Sequence, residues 1–376
     1  MLSNLYHWFW KDEFWLPAGY TWTDIEDANG VTYPHPKDLL ATIPLAFILV
    51  IVRYSFETTV GVFLSRVMGV RDHLRLKPDP NPILESFFQT QSQNPKEAQL
   101  SHLASQCGLS VRQTQRWFRR RRNQARPNLT KKFCESSWRL FFYFSSSFGI
   151  FLAIYNETWF GDSKTCFNRY PTQPLKTGLY FCYLLEMSFY QSLLLTLPFD
   201  VKRKDTMEQI IHHFIVIILL FISYCGNLLS FGGVTLLLHD ITDILLEASK
   251  MFLYAQWKHA CEILFYIFAV MFIVNRLILF PNKIIYVFFY DFTWKPFFAY
   301  IFTFVLLIIL QGLHVFWTYL VLQRIYLRII YKKKSDVRSD LEEQDTSDEQ
   351  LEKTEKQMNR RLQANEVPNS CNFLQT

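Results

Sequence analysis

Long apolar runs, broken by short polar ones, dominate the chain. At a rise of about 1.5 Å per residue, a helix needs about 20 mostly apolar residues to cross roughly 30 Å of hydrocarbon. Such runs begin near residues 39, 138, 179, 210, 232, 260 and 297. Pro44, Arg53 and Glu57 interrupt the first, whereas the third, sixth and last are the most continuous. The pattern predicts an all-α, polytopic membrane protein with about seven transmembrane helices, the first over 39–64. Three stretches depart from it. Residues 1–38 are aromatic and carry Asp12, Glu13, Asp24, Glu26 and Asp27, unlike a basic, apolar, cleavable leader. Trp8, Phe9, Trp10, Phe14 and Trp15 there fit either an interfacial aromatic belt or a packed cap. Residues 71–128 are polar and punctuated by Pro78, Pro80, Pro82 and Pro95, the mark of a small inserted domain. Residues 335–376 are polar and acidic, and predict a disordered tail.

Composition narrows the class further. Half of the 376 residues are hydrophobic, with 36 Phe, 19 Tyr and 10 Trp, which excludes a disordered chain. Seven Cys form no CxxC pair, so neither a zinc site nor a disulfide framework is signalled. The formal net charge of +6 conceals a polarity: nine Lys and Arg and no acid lie between Val111 and Lys132, whereas acids outnumber bases ten to five from Ser335 onward. Under seven spans, the basic insert, VKRKD at 201–205 and YKKK at 331–334 fall on one side. The positive-inside tendency makes that side cytosolic, with a lumenal N-terminus and a cytosolic tail.

Within the insert, Ala98, Leu100, Leu103 and Ala104 lie at helical spacing, and a second helix follows Cys107-Gly108. QTQRWFRRRRN at 113–123 is similar to the third helix of a homeodomain, though the N-terminal arm and first helix of that pattern are degraded. The family's adenine-reading Asn is replaced by Arg120, so DNA readout is not expected. Arg119 to Arg122 are either a solvated basic face or a surface for anionic lipid headgroups.

Ionisable residues inside apolar runs are costly and therefore functional candidates. His212 and His213 open the fourth run, directly after the basic loop whose Lys202, Arg203 and Lys204 stand at its mouth. The fifth carries His239, Asp243, Glu247 and Lys250 on one helical stripe, with Asp240 at its margin. A turn centred near residue 229 places residue 212 opposite about 246 if the two helices pack as antiparallel neighbours. His212 is then level with Asp243 and Glu247. Imidazoles beside carboxylates suit acyl or proton transfer. They also suit a purely structural pairing, while side chains about 100° apart on adjacent residues suit a single metal ion poorly, and no metal is predicted. Glu186 in the third run is either a cavity residue or hydrogen-bonded to a neighbouring Ser or Tyr. Asn275 and Arg276 are expected to snorkel to the membrane interface.

FDVKRKD at 199–205, IIHHF at 210–214 and LHDxxDxLLExxKM at 238–251 resemble the signature region of the ceramide synthases, within the TLC superfamily. WFRRRRNQ in the insert, WFW and FWLP near the N-terminus and RSD at 338–340 extend the resemblance over nearly the whole chain. It implies a TLC membrane domain over 131–332, a helical ring around a central cavity that takes the acyl chain. It implies acyl transfer from acyl-CoA, a co-substrate with no permanently bound cofactor, to a sphingoid base in the endoplasmic reticulum membrane. It further implies that His212, His213, Asp240 and Asp243 are catalytic, with an acyl-imidazole on His212 oriented by Asp243, although direct transfer with His212 as general base stays open. The loop from Pro281 to Pro296, centred on Tyr290, Asp291, Phe292, Thr293, Trp294 and Lys295, resembles the family's chain-length determinant. Ser339 and Thr346, each followed by an acid three residues on, are phosphorylation candidates, and dimers with itself or related synthases are a family expectation. The rival classes are a non-enzymatic TLC lipid transporter or sensor and a membrane-tethered nucleic-acid binder.

Overall fold

A computed structural model describes residues 2–28, 30–72, 75–161, 163–203, 205–291 and 296–331. Among these the chain is helical and contains no β-strand. Two short helices, Leu2–Phe9 and Asp12–Trp15, precede α1 (Pro36–Val67). The insert holds α2 (Pro82–Thr90), α3 (Glu97–Cys107) and α4 (Val111–Ala125). Then come α5 (Leu129–Ile154), α6 (Thr177–Thr196), α7 (Thr206–Cys225), α8 (Leu229–Tyr254), α9 (Lys258–Tyr290) and α10 (Phe298–Tyr331). The chain divides into two compact units, Met1–Phe316 and Trp317–Thr376, and the described part of the second is the continuation of α10.

Among the described residues, six helical stretches, ending in or made of α1, α5, α7, α8, α9 and α10, are long and apolar enough to cross a membrane. The expected ranking holds for the sixth and last runs, α9 and α10, and fails for the first and third. Helix α1 qualifies, whereas α6, the third run, does not, because Glu186, Ser188, Gln191 and Ser192 dilute its 20 residues. The charges that interrupt α1 are satisfied internally. Arg53 Nε donates to Glu57 at 2.6 Å, its Nη2 to Asp200 at 2.6 Å and its Nη1 to Thr196 at 2.6 Å. Arg139 of α5 reaches the other Asp200 oxygen at 3.0 Å, so one carboxylate ties α1, α5 and the end of α6 together. Helix α1 also meets α5 closely at Gly61, where a Cβ would lie 3.1 Å from Cys134; small residues of this kind let membrane helices approach.

The insert is a three-helix module with its own core of Leu84, Phe88, Leu100, Leu103, Trp117 and Phe118. The first helix, degraded by sequence, is nevertheless formed, because Asn81 caps it by accepting from Ile83 and Leu84, both at 3.1 Å. Gly108, at φ 63°, ends α3, and Ser110 and Gln113 form a capping box on α4. Arg121 is not part of a solvated face. It clasps Glu85 at 2.8 and 2.9 Å and lies 4.8 Å over the Phe88 ring. Hydrogen bonds from Arg121 and Gln89 hold the Glu85 carboxyl below its ordinary range.

At the other end of the molecule the two readings of the N-terminal aromatics divide between residues. Trp10 stacks on Trp15 at 5.1 Å and both meet Phe221 of α7, whereas Trp8 stays 54% exposed. Helices α7 and α8 are joined by a tight turn. Asn227 takes φ 53° there and its side chain donates to the carbonyls of Pro171 (2.6 Å) and Gln173 (2.8 Å). The turn therefore centres on residue 227, which moves the residue opposite His212 from 246 to Thr242. The assumption of antiparallel neighbours also fails: α7 packs mainly along α6, while α8 packs mainly along α5 and α9.

The expected loop from Pro281 is largely helical. Val274–Ile285 and Val287–Asp291 continue α9 in widened, i→i+5 turns. Pro281 has no N–H for the ordinary i→i−4 bond, and the wider turn accommodates it. Tyr290 is exposed, and the side chain of Asp291 together with Phe292, Thr293, Trp294 and Lys295 lies outside the described residues. Lys204, the tail from 332 and its Ser339 and Thr346 lie outside them too.

Candidate functional site

Side chains of six helices, α5 to α10, meet in one polar region. On α7, the His212 and His213 rings lie 5.7 Å apart, centroid to centroid, and both are half-buried. The buried ring of Tyr190 on α6 lies 6.5 Å from His212 and 5.5 Å from His213. Tyr190 is one turn beyond Glu186, so both project from the same face of α6.

The stripe on α8 does not act as one ladder. Asp240, fully buried, turns toward α5 and α6, where Ser146 lies 3.1 Å from its Oδ2 and also binds Glu186. One hydroxyl thus bridges two buried carboxyl groups that also hydrogen-bond each other, and Glu186 Oε2 and Asp240 Oδ1 meet no further side chain among the described residues. Glu186 is hydrogen-bonded to a neighbouring Ser and borders this region as well. His239 and Asp243 turn the other way. His239 Nδ1 donates to the Thr235 carbonyl at 2.7 Å, which aims its Nε2 at His314 Nε2 of α10, 3.3 Å away.

Arg276 closes that second cluster and corrects the expectation that it snorkels. It is 3% exposed. Its Nη1 reaches His314 Nε2 at 3.1 Å, and its Nη2 reaches the His239 carbonyl (3.3 Å), Thr242 Oγ1 (3.2 Å) and both Asp243 oxygens (3.5 Å). The guanidinium also lies 5.5 Å from the Phe272 centroid. Inside a bilayer a charge is retained where protein acceptors replace water, and here they do. Asn275 is buried beside it, its amide 3.4 Å from the Leu238 carbonyl.

The two clusters and the His pair share one electrostatic neighbourhood. Arg276 acts on His212, His239 and His314, and Tyr143 and Tyr190 lie within reach of both Asp240 and Asp243. Toward the basic end, Lys250 pairs with Glu247 at 2.7 Å, and Arg203 and Arg139 act on both. Lys202 is exposed and Arg203 half-buried. No group of three or more His, Cys, Asp or Glu among the described residues is arranged to hold a metal ion.

Ser146, Tyr190, Arg276 and His314 are the site residues that sequence reasoning did not assign. His314, a lone imidazole in the last apolar run, carried the same signal as the others, an ionisable group in a membrane segment. Ser146 carried none, standing between Ser145 and Ser147 with nothing to set it apart.

Comparison with known proteins places this geometry. Residues 132–323 match the TLC domain, and residues 75–127 match the homeodomain. The chain is 53% identical to ceramide synthase 4 of Homo sapiens over 355 residues, covering 93% of this chain and 89% of that one. It is 52% identical to ceramide synthase 4 of Bos taurus over 353 residues, with the same coverage of 93% and 89%. It is 43% identical to ceramide synthase 3 of Homo sapiens over 345 residues, covering 91% and 90%. The His pair, the buried carboxyl groups of α6 and α8 and the homeodomain-like insert therefore sit in a multi-pass membrane protein that belongs to the ceramide synthase family of TLC-domain proteins.

Proposed function

We propose that this protein transfers a long-chain acyl group from acyl-CoA to the amine of a sphingoid base, dihydrosphingosine or sphingosine, giving dihydroceramide or ceramide. The reaction takes place in the endoplasmic reticulum membrane, with the N-terminus lumenal and the acidic tail cytosolic. The observation that carries this reading is the adjacency of His212 and His213, 5.7 Å apart beside buried Tyr190, in the same electrostatic neighbourhood as Arg276 and the carboxyl groups of α8.

A ring nitrogen of His212 attacks the thioester carbon. The C–N bond forms, the C–S bond breaks, and the CoA thiolate leaves with the proton released by the imidazole. The sphingoid ammonium gives a proton to His213 or to the Asp240 carboxyl, and the free amine attacks the acyl-imidazole. Its second proton returns to His212 as the amide forms. Asp243 faces Arg276 and acts on His212 through that guanidinium. Lys202, Arg203 and Lys204 receive the CoA phosphates at the basic mouth, and the segment from Tyr290 to Lys295 tunes chain length. The insert is not a base reader, since Arg120 stands where the homeodomain's adenine-reading Asn does and Arg121 is engaged by Glu85.

The test is purified protein with a sphingoid base and a panel of acyl-CoAs, with products followed by mass spectrometry. An N-acylated base formed with a chain-length preference is expected. No amide product with any acyl-CoA contradicts the proposal.

A further inference from the structure

Arg276 is held more tightly than a counter-ion for Asp243 requires. Both terminal nitrogens are engaged by fixed groups: His314 on α10, and the His239 carbonyl, Thr242 and Asp243 on α8. Those contacts leave the planar fork little freedom. Of its other donors, Nε–H is buried and meets no acceptor among the described residues. A buried charged donor left without an acceptor is costly, so an acceptor is expected from a ligand. His212 is level with Thr242, to which Arg276 donates at 3.2 Å, and the charge of Arg276 reaches His212, so the chemistry at that imidazole is a source of such an acceptor.

We infer that Arg276 is a further catalytic residue, donating its Nε–H to the carbonyl oxygen of the acyl group; this rests on the acyl-transfer reading above. When the His212 nitrogen bonds to the thioester carbon, the C=O π pair moves onto oxygen, which then carries a negative charge. That oxygen accepts from Nε–H until the pair returns and the C–S bond breaks. The same exchange recurs when the amine attacks. Arg276 keeps its proton throughout and contributes a fixed, low-dielectric donor aimed where charge develops. Thr242, His239 and His314 are positioning residues that act by holding it. Helix α9 continues to Tyr290, so Arg276 lies well inside the helix and not at the end of an apolar segment.

The experiment uses the purified full-length protein and two unreactive acyl-CoA analogues of equal chain length. In one, a methylene separates sulfur from the carbonyl; in the other, an alkyl thioether lacks the carbonyl altogether. The unaltered protein is expected to prefer the ketone by about tenfold. In Arg276→Met that preference disappears while thioether affinity holds, and turnover falls by about 10² to 10³ with KM little changed. A merely structural role would weaken both analogues alike. An undiminished ketone preference in Arg276→Met overturns the inference. If that variant does not hold its fold in detergent, Arg276→Lys makes the same comparison: a reduced preference supports the donor role, and an unreduced one refutes it. Failure of the unaltered protein to bind either analogue contradicts the acyl-transfer reading itself, and the inference with it.

Discussion

Asp240 and Glu186 are fully buried carboxyl groups on different helices, bridged by one hydroxyl and hydrogen-bonded to each other. Such a pair is retained against a large desolvation cost only where it is fully bonded or used. Asp240→Asn, which keeps the shape and removes the acid, is expected to lower acyl transfer about 10²-fold with little change in fold, measured as turnover beside circular dichroism. Ser146→Ala should cost less, because both carboxyl groups stay in place. Mass spectrometry of the protein incubated with acyl-CoA alone should find an acyl adduct on His212 and none in His212→Ala. In the insert, Glu85 has a folded-state pKa below its ordinary value of 4.5, chiefly through Arg121. Its contribution to stability is therefore present above that value and lost as pH falls through the lower, folded one. The pair is partly exposed, so it is worth about 0.2 to 1 kcal/mol. Hydrogen-exchange protection around Leu84 and Trp117 in the full-length protein should fall on acidification below about pH 4.5, and Glu85→Gln should flatten that dependence.

Asp200 holds three helices by accepting from Arg53 and Arg139, and is itself 8% exposed on its side chain. Asp200→Asn leaves two buried guanidinium groups undercompensated, a change worth about 3 to 5 kcal/mol, and the thermal unfolding midpoint in detergent should fall sharply. The hairpin has a comparable weak point. A Cβ at Gly232 would lie 1.8 Å from the Tyr183 hydroxyl, which binds Ser223 at 2.8 Å, so Gly232→Ala has to displace α6 from α7 and α8. Much at this scale was legible in the sequence. Apolar run length located the long helices, and the 100° rule put His239 and Asp243 on one face of α8. Periodicity says nothing about which neighbour each face meets. The turn near residue 229 implied contact between α7 and α8, but both helices find wider partners in α6 and α5, and that sends Asp240 to Ser146 and Asp243 to Arg276. Arg276 was misread because the apolar helix does not end beside it: α9 continues to Tyr290 and leaves Arg276 buried well inside.

The chain combines a homeodomain-like module, which owes its fold to its own aromatic core, with a membrane part whose polar residues converge from six helices. The module's Trp117 and Phe118 are core residues, and Arg121 is committed to Glu85 and Phe88. Removal of residues 75–127 should therefore leave measurable acyl transfer in the remaining protein, whereas a nucleic-acid binder would lose its function entirely. The most direct measurement compares the unaltered protein with His212→Ala for amide formation from a sphingoid base and acyl-CoA, with unfolding midpoints recorded for both. Loss of about 10³-fold or more in product, at an unchanged midpoint, is expected if the α7 imidazoles carry the chemistry. Turnover within a few-fold of the unaltered protein would contradict it and favour a lipid-holding role without catalysis.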